Sequence, residues 1–361
     1  MHKVAIVSAV RTPIGNFGGA LINIPAAQLG ETAARAAIER AGITPEQVDE
    51  SIFGCARQAG IGPNLARQIA WRVKMPQETV AFTVNKACGS GMKAITLGAQ
   101  SIMLGENQVV LAGGVEQMSQ IPYLLPKARW GYRLGDGELI DANYRDGYNC
   151  PLCDMVMGET VDRLAEEYQI SREQQDEFTA ESHQKAVTAW ETGAFNDEVV
   201  PVEVPGRKGA VDLFERDERP RPDSTPVLMR ADAAEAQGIE PLGVIEGFAS
   251  GGVAPERMGL GPVLATRKLL EQTGFNLDDF GLIELNEAFA AQVLIVEKEL
   301  DWDVARRNVH GGAVALGHPT GCTGARILVT LLHAMRQRDV ELGLATLCIS
   351  GGLGMSVAVS R

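Results

Sequence analysis

The chain is poor in aromatic residues, cysteine and positive charge, and each shortage excludes a class of protein. Only 5% of its 361 residues are aromatic and six are cysteines, too few for a disulfide scaffold in a chain of this length. A formal net charge of −13 argues against a general nucleic-acid binder, which would carry a basic face. No apolar run approaches the ~20 residues of a membrane span. We therefore expect a cytoplasmic protein with reduced thiols, no membrane insertion and no nucleic-acid partner.

Glycine is abundant, with 40 residues gathered in a few dense clusters. Such clusters indicate tight turns and close backbone contacts. The chain is 45% hydrophobic and 22% charged, which is ordinary for a globular protein with a large buried core. Its first residues predict a strand and not a signal peptide.

Apolar runs of strand length alternate with helical segments, which is the pattern of an α/β protein. Strand-like segments are 4–9, 51–55, 81–85, 108–113, 242–248, 279–285 and 344–349, and helical segments are 26–41, 92–104, 159–168, 172–191, 287–300 and 324–337. Between about 121 and 226 proline and charge increase, and 206–226 predicts a loop. We expect an N-terminal half (1–117), an inserted loop or lid domain (118–226) and a C-terminal half (227–361).

Two parts of the chain echo each other. Residues 88–94 and 321–327 each open a predicted helix, and each helix is followed by an apolar strand that ends in a glycine pair, at 113–114 and 351–352. Any two strand–turn–helix–strand units look broadly alike, but here the glycine positions match as well as the order. The echo therefore predicts a duplication.

Cys88 is the strongest candidate for chemistry. It lies in Val-Asn-Lys-Ala-Cys-Gly-Ser-Gly-Met (84–92), between a predicted strand and a predicted helix. The helix N-terminus favours a thiolate, which is the nucleophilic form of cysteine. Gly89 and Gly91 would let a bulky substrate approach the sulfur. The alternative is a buried structural cysteine, the commoner fate of a lone cysteine.

Three more residues stand at strand ends or helix starts. His318, in Gly-His-Pro-Thr-Gly (317–321), could take a proton from a thiol and later hydrogen-bond a thioester oxygen. Cys348, before Ile-Ser-Gly-Gly, could act as a general acid or base, since a thiol pKa near ~8.5 can be tuned. Asn286, in Asn-Glu-Ala-Phe-Ala, could hold a catalytic water, or simply cap a helix. The other four histidines are interpreted as structural.

Together these motifs resemble the thiolase family in type and in order. The resemblance rests on Asn-Lys-Ala-Cys-Gly-Ser-Gly (85–91), Asn-Glu-Ala-Phe-Ala (286–290), Gly-His-Pro (317–319) and the segment around Cys348, and it runs through nearly the whole chain. It implies two similar α/β halves, packed as five layers, with a lid over a coenzyme A site. It also implies a homodimer or homotetramer.

The resemblance implies a role for each residue. Cys88 would attack the acyl thioester and carry the acyl group, and His318 would activate it. Cys348 would move the proton at the α-carbon of acetyl-CoA. His318 and a water on Asn286 would stabilise the enolate, and the backbone N–H groups of Cys88 and Ser350 would stabilise the tetrahedral intermediate.

Contacts to coenzyme A are carried over in the same way. Met157, Arg221, Ala288 and Phe289 resemble its neighbours in the family, and Arg207 with Lys208 could meet its phosphates. Coenzyme A thioesters are then substrates, with no permanently bound cofactor. Cys150 and Cys153 form a CxxC pair, but no second pair or suitably spaced histidines accompany it, so no metal site is predicted.

The sequence departs from the family at three places. Ser350 stands where glycine is usual, which is tolerable unless the backbone there needs positive φ. Val156 stands where several relatives carry a histidine that shapes the acyl pocket. After Thr225 a helix, a strand and a Gly-Asn-Ala-Ser-Gly motif are missing. Either this is a true deletion, or residues are missing from the sequence. The second is favoured, because the free-energy cost of losing a core strand should exceed the whole stability of a protein, ~5–15 kcal/mol.

Three functions stay open at this stage. The first is condensation of two acetyl-CoA into acetoacetyl-CoA and CoA, and its reversal. The second is a degradative 3-ketoacyl-CoA thiolase of broader chain length, in fatty acid metabolism. The third is a catalytically impaired CoA-binding scaffold, which the missing segment motivates. A β-ketoacyl-carrier-protein synthase is disfavoured, because it would use paired histidines where this chain has His318 with Cys348.

Overall fold

The structure is a computed structural model that describes residues 2–206, 209–218 and 222–361. The strands are β1 (Val4–Pro13), β2 (Glu50–Gly54), β3 (Val80–Val84), β4 (Val109–Gly114), β5 (Tyr123–Leu124), β6 (Ile140–Asp141), β7 (Asn149–Cys150), β8 (Met155–Val156), β9 (Val202–Pro205), β10 (Val211–Phe214), β11 (Pro222–Arg230), β12 (Gly243–Gly252), β13 (Leu282–Leu285), β14 (Leu342–Ile349) and β15 (Leu353–Ser360). The helices are α1 (Ala26–Arg40), α2 (Leu65–Arg72), α3 (Ser90–Leu104), α4 (Ala142–Arg145), α5 (Met157–Glu167), α6 (Arg172–Glu191), α7 (Ala231–Ala236), α8 (Gly261–Thr273), α9 (Ala290–Leu300), α10 (Ala313–Leu316) and α11 (Thr320–Arg338).

One mixed sheet runs through the molecule in the order β13-β14-β15-β12-β1-β11-β4-β2-β3. The two strands at the middle of the sheet, β1 and β12, are each the first strand of their half in sequence. The last strand of that half lies next and is antiparallel to both its neighbours. Parallel pairs follow, β4 with β2 and β14 with β13. The same order and the same strand directions in both halves confirm the predicted duplication.

Helices cover both faces of each half-sheet, which gives five layers. Helices α3 and α11 pack on each other in the middle, and their apolar faces share one core with strands of both halves. The outer layers are α1 with α2 on one side and α8 with α9 on the other. Side chains alternate along the strands, so that Val110 faces the central core and Leu111 the outer one. Among the described residues no helix is long and apolar enough to cross a membrane.

The prediction of a loop at 206–226 is wrong for part of this segment. Residues 211–214 form β10, and β11 begins at Pro222 and lies between β1 and β4. Prolines and charges suggest a loop, but pairing with β1 from Val4 to Pro13 outweighs local preference. β11 therefore occupies the sheet position beside β1, although the segment expected after Thr225 is missing from the sequence. The division at 117 and 226 stays a proposal.

The segment after α6 is tied to the N-terminal half by a buried cation. Arg11 on β1 is fully buried, and it binds Glu198 at 2.5 Å and Asp217 at 2.8 Å. Asp217 also accepts hydrogen bonds from the Ile14 N–H and from the Trp190 indole. Removing one partner of such a buried pair typically costs ~3–5 kcal/mol, so this contact holds the segment in place.

Candidate active site

A cavity of about 460 Å³ is lined by residues that follow β3 in one half and by residues at the end of β14 in the other. Cys88, His318, Cys348 and Ser350 all line it, although they come from distant parts of the chain. The remaining lining residues are Ala56, Arg57, Asn85, Ala87, Met118, Tyr144, Asp146, Gly147, Tyr148, Val156, Met157, Gly158, Met258, Ala288, Phe289 and Thr320. The structure thus brings the two predicted reactive cysteines and the predicted base into one pocket.

Cys88 sits on a tight turn between β3 and α3. The preceding Ala87 has φ of 44°, a conformation that residues other than glycine seldom adopt. Asn85 holds it there, since its side chain accepts the Ala87 N–H at 2.9 Å, and Ser90 donates to the Ala87 carbonyl at 2.7 Å. The sequence offers no signal for this strained residue. Its effect is to present the half-buried Cys88 to the cavity.

The glycines around Cys88 do not serve the purpose predicted for them. A Cβ on Gly89 would collide with Ile349, and one on Gly91 would lie 2.9 Å from the Ala325 nitrogen in α11. Neither glycine lines the cavity. They allow α3 to approach β14 and α11 closely.

The electrostatic surroundings of Cys88 differ from the simple helix-terminus expectation. Burial raises the pKa of the Cys88 thiol, and this outweighs the opposing influences. Those influences are a hydrogen bond from the Ser350 N–H, the charge of Arg57 and the N–H of Cys88 itself, each of which lowers the pKa. A raised thiol pKa agrees with the expectation that Cys88 needs a base as well as a helix N-terminus.

His318 lies in the loop between α10 and α11, and a hydrogen-bond chain determines its tautomer. Its Nδ1 is 2.8 Å from the Thr323 hydroxyl, and that hydroxyl donates to the Pro319 carbonyl at 3.0 Å. The single hydroxyl proton is thereby used, so Thr323 must accept from the His318 Nδ1–H. The neutral imidazole then carries its lone pair on Nε2, as a proton acceptor requires.

Cys348, near the end of β14, is fully buried and is one of the residues that line the cavity. Burial raises its pKa strongly, and negative charge on the nearby Cys88 raises it further. The thiol is therefore protonated at rest.

Asn286 follows β13 and does not line the cavity, yet its surroundings are unusual. It is fully buried, and neither its amide nitrogen nor its amide oxygen has a hydrogen-bond partner among the described residues. Helix α9 begins at Ala290 with Phe289 at its cap, so Asn286 is not a helix cap. Two unsatisfied polar atoms at a buried site are typical of a place that holds an ordered water.

The predicted coenzyme A contacts divide into two groups. Met157, Ala288 and Phe289 line the cavity, as does Val156. Arg221, Arg207 and Lys208 lie outside the described residues. Ser350 is not among the described residues with positive φ, so its Cβ brings no backbone strain. The histidines set aside behave structurally where they are buried: His333 bonds the Ala9 carbonyl at 2.8 Å, and His310 packs edge-on against Phe195.

Sequence reasoning missed the buried pair Arg57 and Glu116, which borders the site. Glu116 is 5% exposed and accepts hydrogen bonds from the backbone N–H groups of Ala56, Arg57 and Gly321 and from the Thr320 hydroxyl. It thereby joins the end of β4, the loop after β2 and the start of α11, which follows His318. An arginine three residues beyond a strand carries no sequence signal. Among the described residues, no group of three or more histidine, cysteine or acidic side chains could hold a metal ion.

Comparison with known proteins identifies the family. The thiolase N-terminal domain matches residues 4–231, and the thiolase C-terminal domain matches residues 239–361. Acetyl-CoA acetyltransferases of Escherichia coli K12 and Pseudomonas aeruginosa PAO1 are 48% and 46% identical, over the full length of both chains. The E. coli match extends over 393 positions, whereas this chain has 361 residues; 393 − 361 leaves at least 32 positions with no counterpart here.

Solved structures agree with the sequence matches. Bacillus anthracis acetyl-CoA acetyltransferase superposes with a TM-score of 0.97 at 41% identity, covering 100% of this chain and 99% of that one. Human mitochondrial 3-ketoacyl-CoA thiolase superposes with a TM-score of 0.95 at 36% identity, with the same coverage. The chain therefore belongs to the thiolase family of acyltransferases.

Proposed function

We propose that the protein catalyses the reversible condensation of two acetyl-CoA molecules into acetoacetyl-CoA and CoA, through an acyl group on Cys88. The observation that carries this proposal is that Cys88, His318 and Cys348 share one cavity. The relatives named acetyl-CoA acetyltransferase, at 44–48% identity, support the choice of substrate.

In the first step His318 takes the proton of Cys88 at Nε2, and the sulfur attacks the thioester carbon. The bond from that carbon to the CoA sulfur then breaks, and CoA leaves with the proton. The N–H of Ser350, which already hydrogen-bonds the Cys88 sulfur, and the N–H of Cys88 are donors for the oxygen of the tetrahedral intermediate. Each such donor is typically worth ~10²–10³-fold in rate.

In the second step a proton moves at carbon. Cys348, acting as its thiolate, removes a proton from the methyl group of a second acetyl-CoA, and the resulting carbanion attacks the acyl carbon on Cys88. The bond from that carbon to the Cys88 sulfur then breaks, acetoacetyl-CoA leaves, and the Cys88 thiolate takes up a proton. His318 and a water held by Asn286 stabilise the enolate oxygen. Cleavage runs the same steps in reverse, with Cys348 protonating the carbon.

Met157, Ala288 and Phe289 present apolar surface in the cavity and would contact the pantetheine arm; Arg221, Arg207 and Lys208 are proposed for the phosphate end. No resident cofactor is part of this mechanism. We also expect a cytoplasmic homodimer or homotetramer that acts in fatty acid metabolism. These expectations rest on family resemblance.

A thiolysis assay across acyl chain lengths tests the proposal. Purified protein should consume CoA with acetoacetyl-CoA. Comparable or faster thiolysis of longer 3-ketoacyl-CoA would favour the degradative alternative, for which Val156 on the cavity wall is a reason. The missing positions motivate the impaired scaffold, and CoA binding without thiolysis of any chain length would establish it.

A further inference from the structure

The motif that carries Asn286 also carries a buried acidic residue that the proposed reaction does not use. Glu287 is 1% exposed and does not line the cavity, so it does not touch a substrate bound there. Burying a carboxylate is costly unless hydrogen-bond donors surround it. The donors around Glu287 therefore indicate what it serves.

Three donors from different parts of the chain share the Glu287 carboxylate. The Ser182 hydroxyl on α6 donates at 2.7 Å, the Asn308 side-chain amide at 2.8 Å and the Val314 backbone N–H at 3.0 Å. Ser182 and Val314 both use Oε2, whereas Asn308 uses Oε1. This arrangement needs a carboxylate, because a carboxylate accepts at both oxygens and an amide of the same shape accepts at only one.

The Asn308 contact fixes the backbone on either side of Asn286. Asn308 is fully buried, and its side chain accepts the Leu285 N–H at 2.9 Å and donates to the Leu285 carbonyl at 2.8 Å. The same amide nitrogen also donates to Glu287. Asn286 therefore lies between two residues that one amide holds, and its own N–H donates to the Thr346 carbonyl at 3.0 Å. Little freedom is left to the residue that is proposed to hold the catalytic water.

The Val314 contact fixes the loop that carries His318. Val314 lies in the first turn of α10, a four-residue helix that ends two residues before His318. The first N–H groups of a helix have no partner within it. Glu287 accepts the Val314 N–H, and Ser182, which donates to Glu287, accepts the N–H of Gly312 just before the helix. A Cβ on Gly312 would collide with the Glu287 carboxylate, so the glycine lets that carboxylate reach α10.

One side chain thus connects two groups that are proposed to act on the same atom. His318 and the water on Asn286 would both donate to the enolate oxygen, although they belong to different loops. Such donors stabilise a developing charge only when they are held in place beforehand, and a misplacement of about 1 Å can cost ~10²-fold in rate. Acylation of Cys88 uses His318 but not Asn286, so it depends less on how the two loops are arranged.

We propose that Glu287 is a positioning residue for the enolate step, which holds Asn286 and the His318 loop in one arrangement. This rests on the proposed function. The chemistry of the step is unchanged: the Cys348 thiolate takes the methyl proton, and His318 with the bound water stabilises the oxygen. Glu287 exchanges no proton with the substrate and acts only through its neighbours.

Glu287→Gln tests this proposal with almost no change of shape. The amide oxygen can still accept from Asn308, but the amide nitrogen then faces the Val314 N–H, donor against donor. Two rates are measured in each preparation: uptake of labelled acetyl from acetyl-CoA in a single turnover, and exchange of acetyl-CoA methyl protons with deuterium. We expect the ratio of exchange to uptake to fall ~10–100-fold, as is typical when a residue that orients a catalytic group is lost. Any loss of folded protein cancels in this ratio.

Further variants separate positioning from a general structural role. Asn286→Ala removes the water site, so adding Glu287→Gln to it should change the ratio by less than ~2-fold, because residues that act as a unit are not additive. Ser182→Ala removes one donor but keeps the carboxylate, and it should lower the ratio ~3–10-fold. Thr330→Val is the matched control, since it removes a buried hydroxyl that donates to another buried carboxylate, Glu198, away from the cavity. Its ratio should equal that of the wild type.

Two results would overturn the proposal. One is an unchanged ratio in Glu287→Gln, and the other is an equal further fall when Glu287→Gln is added to Asn286→Ala, which a purely structural role would produce. Failure of the proposed function looks different, because wild-type protein would then show no acetyl uptake at all, and this proposal would fall with it.

Discussion

Replacement of Cys348 by alanine separates the two steps of the proposed mechanism. Acyl transfer needs Cys88, His318 and the N–H donors, whereas proton movement at carbon needs Cys348. The variant should therefore still take up an acetyl group from labelled acetyl-CoA. It should fail to exchange the methyl protons of acetyl-CoA with deuterium from the solvent, and condensation should fall with it.

The two energies involved differ enough to be told apart. Cys348 is fully buried, and removing its sulfur resembles loss of one buried methyl group, ~1 kcal/mol of stability. That is small beside a stability of ~5–15 kcal/mol, so the variant stays folded. Loss of one acid or base group costs ~10²–10⁴-fold in rate, which corresponds to ~2.7–5.4 kcal/mol in the activation barrier.

Cys322→Ala is the matched control. Cys322 is another fully buried cysteine, on α11, and it does not line the cavity. It should lose a similar amount of stability and keep normal exchange. Mass spectrometry measures the acyl adduct, and NMR of acetyl-CoA in deuterated buffer measures exchange. Wild-type condensation in Cys348→Ala would refute the assigned role, although Cys88 could still be the nucleophile; loss of the adduct as well would show that the steps are not separable.

Three more perturbations have expected outcomes. Brief iodoacetamide treatment should label Cys88 ahead of the half-buried Cys153 and abolish thiolysis. Because burial raises the pKa of Cys88, labelling should become faster as the pH rises from 7 to 9. Peptide mapping that finds Cys153 labelled first would contradict this. Thr323→Val removes the acceptor that fixes the proton on His318 Nδ1, and it should slow acylation ~10–100-fold. Thr323→Ser keeps a hydroxyl and should keep the acylation rate near that of the wild type. Equal rates in the two variants would exclude a positioning role for Thr323. Burial raises the pKa of Glu284 to about 8 despite Arg326, so between about pH 4.5 and 8 the folded state binds one more proton than the unfolded state. The free energy of unfolding should therefore fall with rising pH, by up to ~1.4 kcal/mol per pH unit from this group. Urea titrations of Glu284→Gln should lack this slope, and parallel pH curves for both proteins would disprove it.

The reactive residues were predictable because the chemistry requires particular residue types at strand ends and helix starts. Cys88, His318 and Cys348 were each identified from their short motifs, and the structure brings all three to one cavity. The duplication was predictable for a similar reason, because glycine pairs recur where each half closes a strand. Their catalytic roles remain proposals.

What escaped prediction depends on partners that are distant in sequence. Arg57 and Glu116 look like ordinary surface residues until the fold buries them together with Thr320 and Gly321. The first residues of β11, up to Pro226, were assigned to a loop because prolines oppose local strand formation, and pairing with β1 and β4 makes them a strand. The burial that raises the pKa of Cys88 could not be predicted, because a helix terminus is visible in the sequence whereas burial is not.

The duplication also shows how each half contributes a different candidate catalytic residue to the same site. Cys88 precedes α3 and His318 precedes α11, which are equivalent helices of the two halves, and these helices cross closely at Gly91 and Ala325. The N-terminus of one helix from each half therefore lies at the same cavity. The proposed nucleophile comes from one half, and its proposed base from the other. Two glycines allow this close approach, because a Cβ on Gly91 would lie 2.9 Å from the Ala325 nitrogen and one on Gly324 would lie 2.7 Å from Met92. A substitution at either glycine should slow acylation without altering any group proposed to touch substrate.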